Sequence, residues 1–209
     1  MIDWHFDHSD NNESFRQAGA QILAQVNTRR RLSESHELLG MQLPPAPPGA
    51  LPTQTFERTY EVKPGVLYEE FLDIGAFAPA HTDSDLFVRF ALGDIIHLGD
   101  IFVNGSYPFI DAGTGGSMTG MLVATERALK MTNPQTRIVP GHGPLADRAA
   151  LLRYRDMLTS VRDRVQKLKT AGRTAQEVVA AKPTADLDAT WGKGFLTPDN
   201  FVSTVYQAL

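Results

Sequence analysis

Apolar residues recur at every third or fourth position through Leu151, Tyr154, Met157, Leu158, Val161, Val165 and Leu168. That is the repeat of one helix face, and it predicts a long amphipathic helix from about Asp147 to Thr170 that ends at Gly172. "MTGMLVATERALKM" is a second helical stretch, entered through Gly115, Gly116 and Ser117 and left at Asn133 and Pro134. Two shorter helices, "TAQEVVAAK" and "PDNFVSTVYQAL", follow the long one. Near the start, Ser9 and Asp10 can cap a helix carrying Phe15, Ala18, Ile22, Leu23 and Val26 at helical spacing. "SESHEL", which contains His36, reads as a polar helix end. Between these lie strand-like segments: "TFERTYEV" alternates, "VLYEEFLDIG" ends in a turn, and "RIVP" is short and apolar. "DLFVRF" and "DIIHLGDIFV" flank a tight turn at Ala91, Leu92, Gly93 and Asp94. The proline-dense "LPPAPPGALP" predicts an extended surface connection rather than a linker between domains.

A chain of 209 residues, 42% hydrophobic, can bury a core and is expected to form one domain over 1–209. Twenty Lys+Arg against 24 Asp+Glu leave a net charge of -4 and no broad basic footprint. Neither nucleic acid nor an anionic membrane is therefore an expected partner. The run Arg29, Arg30, Arg31 reads as a solvated helix face. No 18-residue apolar stretch and no charged-then-apolar leader stand in the sequence, so neither a membrane span nor an export signal is expected. With no cysteine there is no disulfide and no thiolate, and any metal must be held by imidazole and carboxylate. The compartment stays open, since such a chain tolerates either redox state.

The first eight residues hold Asp3, His5, Asp7 and His8. His5 and Asp7 alternate on an extended segment and His8 stands at the turn into a helix, so one short loop can feed two metals. Three further candidates stand at the ends of predicted strands, where a sheet can present ligands to one cleft: His81 in "APAHTDSD", Asp100 in "HLGDIF" and His142 in "PGHGP". His36 is expected to have no metal role, and His97, inside an apolar strand, a structural hydrogen bond. Asp83 and Asp85 read as turn-shaping residues or as partners holding an imidazole. Asn104, Tyr107 and Phe109 are open between lining a pocket and packing a loop.

"DWHFDHSDNN", "PAHTDSDLFV", "HLGDIFVNGSYPFID" and "RIVPGHGP" together resemble the metallo-β-lactamase-fold hydrolase superfamily, in its order and over most of the chain. "AAKPTADLDATWGKGFLTPDNFVSTVYQAL" is similar to the tail of a broad branch of these metallohydrolases. The resemblance implies an α/β fold, an αββα sandwich with a dinuclear zinc site at one edge. It implies His5 and His81 at one zinc, Asp7, His8 and His142 at the other, and Asp100 bridging both, with Asp7 and Asp100 as the catalytic carboxylates. The implied reaction is hydrolysis of a small-molecule ester, lactone, thioester or amide by metal-activated water. An iron-binding redox protein or a weakly active remnant are the alternatives. Two departures stand out. Asp3 takes the place of the first histidine of the family's H-x-H-x-D-H motif, where it either completes the first site with oxygen or weakens that site to leave one metal. The strands that precede the motif in the family do not precede it here, so a shortened sandwich lacking its first strands, self-associating through an exposed sheet edge, is expected.

Overall fold

The computed structural model describes residues 1–62 and 70–209. The start of "VLYEEFLDIG" lies outside the described residues. In chain order the helices are α1 (Phe6–Ser9), α2 (Asn12–Gln17), α3 (Val26–Leu32), α4 (Met118–Lys130), α5 (Arg148–Thr170), α6 (Ala175–Ala180), α7 (Asp188–Trp191) and α8 (Pro198–Ala208). The strands are β1 (Leu23–Gln25), β2 (His36–Leu38), β3 (Met41–Leu43), β4 (Gln54–Phe56), β5 (Thr59–Val62), β6 (Leu72–Ala76), β7 (Leu86–Phe90), β8 (Ile95–His97) and β9 (Arg137–Val139).

The long helix α5 forms where its apolar repeat predicts. The Asp147 carboxylate accepts from the Ala150 amide at 2.8 Å to open it, and Gly172, at φ +78, closes it. Its stripe from Leu151 to Val165 is buried against α4 and α8. Ser117 caps α4, and Thr174 and Glu177 form a capping box on α6.

These helices cover one face of a five-stranded sheet of order β5-β6-β7-β8-β9, antiparallel except for the parallel pair β8–β9. The pleat sends Phe87, Ile96 and Ile138 into the helical core, whereas Leu86 and Ile74 belong to a smaller cluster with Phe56, Leu23 and Ile2. That second cluster is roofed by the parallel pair β1–β4, beside which α3 packs. Among the described residues the second sheet of the sandwich is thus a two-stranded one, and β2–β3 is a separate hairpin.

Three expectations are corrected. The apolar repeat from Phe15 to Val26 is not one helix. α2 stops at Gln17, Gly19 turns the chain at φ +92, and Leu23–Gln25 becomes β1 because Gln54–Phe56 offers it a strand partner. "TFERTYEV" is not one strand but two, β4 and β5, which break at Glu57 and Arg58 and join different sheets. "SESHEL" ends in β2 rather than a helix, since His36–Leu38 pairs with Met41–Leu43. No helix among the described residues is long and apolar enough to cross a membrane.

Candidate metal centre

The beginning of the chain is fastened to the sheet: the Leu86 amide donates to the Ile2 carbonyl at 3.0 Å. Beyond it the chain turns, with the His8 amide on the His5 carbonyl at 3.1 Å, and α1 places Asp7 and His8 on its first turn. His81 leaves β6 in a loop tied by the buried Asp85 carboxylate, which accepts from the amides of His81 (2.8 Å) and Thr82 (3.0 Å) and from the Thr82 hydroxyl (2.6 Å). Asp100 sits in the 3-10 turn Gly99–Ile101 that follows β8, and His142 in the loop after β9. The two loops are laced together, because the Gly141 amide donates to the carbonyls of Gly99 (2.8 Å) and Phe102 (3.0 Å).

Two glycines make this approach possible. Gly99 is left-handed (φ +54) with the Ile2 side chain packed onto it, and a Cβ on Gly141 would overlap Asp100 Oδ1 and the backbone of residues 99–100. Gly141→Ala is therefore expected to destabilise the protein by about 1–3 kcal/mol, as overpacking does, and to displace the Asp100 carboxylate. Chemical denaturation against the parent protein measures it.

All seven candidate residues meet in one place, as two groups. In the first, His81 Nε2 lies 3.0 Å from His5 Nδ1 and 3.9 Å from Asp3 Oδ2. In the second, His142 Nε2 lies 3.0 Å from Asp7 Oδ2, and His8 Nε2 lies 3.5 Å from the same oxygen and 3.2 Å from Asp100 Oδ1. Asp100 reaches both: its Oδ2 is 3.4 Å from His142 Nε2 and 3.5 Å from His81 Nε2. Asp3 is fully buried, with one oxygen accepting from the His5 amide at 2.9 Å and the other without a hydrogen-bond partner.

Proton positions in the first group follow from what each ring touches. His81 Nδ1 stands 2.8 Å from the Phe109 carbonyl and His5 Nε2 stands 3.2 Å from the Asp111 carboxylate. Carbonyl and carboxylate oxygens only accept, so those ring nitrogens carry the protons. The lone pairs of His5 Nδ1 and His81 Nε2 then point at each other, an arrangement that calls for a cation or a proton between them.

In the second group the ion pairs dominate. Burial alone would lower the His8 pKa, but hydrogen bonding to Asp100 and the charges of Asp3, Asp100 and Asp7 lift it to about 9. Hydrogen bonds to Asp100 and Asp7 lift His142 to about 10. Burial opposes ionisation of Asp100, yet His142 and His8 hold it well below the usual carboxylate range. The His142 hydrogen bond likewise lowers Asp7.

The other sequence candidates separate cleanly. His36 packs its ring on Trp4, 4.9 Å between centroids, away from both groups. His97 accepts from the Gly99 amide at 3.0 Å, a structural hydrogen bond as expected. Asp83 binds Arg30 and Arg31, both at 2.8 Å, so two residues of the basic run hold the loop behind His81. Asn104 braces the His142 loop through the Pro144 carbonyl at 2.9 Å. Tyr107 and Phe109 line a cavity of about 460 Å³ that opens onto His5, Asp7, His81, Asp100 and His142. Asp111 was not singled out from the sequence; its one signal was its place two residues beyond Phe109.

No protein-family model matches the chain, and no curated protein matches it. Solved structures do. A metallo-β-lactamase from Pontibacter korlensis superposes with a TM-score of 0.57 at 18% identity, over 76% of this chain and 66% of that one. The B3 metallo-β-lactamase BLEG-1 gives 0.61 at 17% identity, over 75% and 74%. TTHA1623, solved in a di-iron-bound form, gives 0.56 at 20% identity, over 73% and 72%.

The chain has the metallo-β-lactamase fold.

Within this metallo-β-lactamase fold the donor set fits metal ions on its own chemistry. Four imidazoles converge with three carboxylates and no thiolate, a set suited to zinc or iron. The buried, unpartnered Asp3 oxygen and the facing lone pairs of His5 and His81 are the features that a cation would satisfy. Asp111 on His5 and the Phe109 carbonyl on His81 are hydrogen bonds of the kind that orient imidazole ligands in metal centres.

Proposed function

We propose that this chain is a metal-dependent hydrolase that cleaves a small ester, thioester, lactone or amide. The observation that carries this reading is the pairing of two donor groups, joined by Asp100, at one side of a largely apolar cavity. Asp3, His5 and His81 would hold one ion, Asp7, His8 and His142 the other, and Asp100 would serve both. When bound, such ions lower the pKa of a coordinated water to about 7 and polarise a carbonyl oxygen. The chain's own residues supply the rest. Asp100 and Asp7 accept hydrogen bonds from the attacking water and so orient it. Phe109 and Val103 keep bulk solvent off the scissile carbonyl.

Zinc is the metal proposed. Iron is the second reading, favoured by the similarity to a protein solved with two irons. Elemental analysis of protein purified without chelator separates them, and between one and two equivalents are expected. Hydrolysis of p-nitrophenyl acetate should vanish with chelation and return with the metal; hydrolysis at full rate in stripped protein would overturn the proposal.

Two variants probe the first group. Asp3→Asn keeps the oxygen that accepts from the His5 amide but removes the charge, and it is expected to weaken the more loosely held ion by at least tenfold. Asp111→Asn leaves the donors in place but loosens the His5 ring, and about 10–100-fold weaker binding is expected. Competition with a chromophoric chelator measures both, and unchanged affinity in both would remove the first group from the centre.

A further inference from the structure

The cavity beside the donor groups has a second set of walls whose composition says what kind of molecule enters. Leu38 and Leu39 come from the β2–β3 hairpin, Phe195 from the loop before α8, and Val103 and Phe109 from the segment after Asp100. Among the described residues no lysine or arginine lines the cavity. Beyond the donor groups the polar side chains of the lining are Ser106 and Tyr107, and the Tyr107 hydroxyl already donates to Asp188. An anionic group carried away from the scissile bond would thus gain no cationic partner there for the hydration it lost, which is unfavourable.

Two of these side chains are not explained by folding. Leu39 and Gly40 form the two-residue turn between the paired residues Leu38 and Met41, both with positive φ, +54 at Leu39 and +78 at Gly40. Such turns favour asparagine, aspartate or glycine at the first position, and a leucine in the left-handed region is strained. Leu39 also remains 47% exposed, so the strain is not offset by burial. Phe195 is 78% exposed although its neighbour Leu196 is anchored in the core. Both are large apolar residues presented at the cavity rather than buried in the core.

We infer that the substrate is uncharged away from its scissile bond and carries an apolar acyl chain of several carbons that packs against Leu39 and Phe195. This rests on the hydrolase reading and narrows it to acyl esters, thioesters or alkyl lactones. In the reaction the water oxygen bonds to the acyl carbon as the acyl–oxygen or acyl–sulfur bond breaks. One water proton leaves with the alcohol or thiol, and the other is released from the acid product.

The test is a chain-length series of p-nitrophenyl esters from acetate to octanoate, together with the p-nitrophenyl monoester of suberic acid, which matches octanoate in length but ends in a carboxylate. The metal-loaded protein should gain roughly two- to fourfold in kcat/KM per added methylene over the first several. It should prefer octanoate over the suberate monoester by about tenfold or more. Leu39→Asn and Phe195→Ser should each reduce the octanoate-to-acetate ratio, while Leu39→Asn also raises the melting temperature by relaxing the turn. Calorimetric titration with octanamide gives a readout independent of turnover: it should bind the parent protein, with metal or without, and bind both variants more weakly. A flat series, a preference for the suberate monoester, or octanamide binding indifferent to both variants overturns the inference. If no ester in the series is cleaved, the hydrolase reading falls instead, and octanamide binding still decides the character of the pocket.

Discussion

Asp100→Ala is expected to empty both donor groups at once and to lower ester hydrolysis by more than 100-fold, beyond what the loss of an outer hydrogen bond costs. Its carboxylate makes the closest approach to both groups, lying 3.2 Å from His8 through one oxygen and 3.4 and 3.5 Å from His142 and His81 through the other, whereas Asp3 stands 4.0 Å from His8. Removing it leaves three imidazoles without their shared counter-charge in a pocket where Asp100 itself is buried. The metal-free variant should therefore still fold but take up little metal. Elemental analysis, p-nitrophenyl ester hydrolysis and circular dichroism on the same preparation measure the three effects. A variant that retains two equivalents of metal would show that Asp100 does not hold the centre together.

The second large effect is a reversal in pH dependence on removing metal. In the stripped protein His8, with a pKa of about 9, and His142, at about 10, both stand above the ordinary 6.5. A histidine raised on folding contributes its full stabilisation below the unfolded value and loses it as pH climbs through the folded value. Asp100, lowered on folding, works the other way and loses its contribution only in acid. Stability of the stripped protein should thus be greatest between about pH 4 and 6.5 and fall through pH 9–10. His8 carries most of this, because His142 is half exposed and solvent screens its pairs. A fall of roughly 5 °C in melting temperature is the scale expected for a domain of this size. With metal bound the slope should invert, since an imidazole must shed its proton to ligate and binding tightens as pH rises. Thermal melts from pH 5 to 9 with and without chelator decide it, and parallel curves would speak against ligation by His8 and His142.

Where pattern was local, the sequence was legible. α5 and α4 carry their own apolar stripes and caps, so neither needed a distant partner to be recognised. The candidate site was legible for a different reason: four residues of ligating type were crowded into the first eight, three more stood at predicted strand ends, and the chain brings all seven together. What could not be read depended on partners far along the chain. Leu23–Gln25 has helical spacing and becomes a strand only because Gln54–Phe56 lies beside it. The break at Glu57 and Arg58 is invisible in an unbroken alternation, because which sheet each half joins is decided by β1 on one side and β6 on the other. Asp111 looks like any loop aspartate until His5, 106 residues away, is placed against it.

The division of "TFERTYEV" between two sheets has a mechanical consequence. Residues 57 and 58 alone connect β4, which pairs with β1, to β5, which opens the five-stranded sheet. Strands advance about 3.3 Å per residue, so a tether of two residues limits how far the two layers can move past each other. A displacement of the outer pair is therefore felt at the edge of the main sheet, on which the loops bearing His81, Asp100 and His142 are mounted.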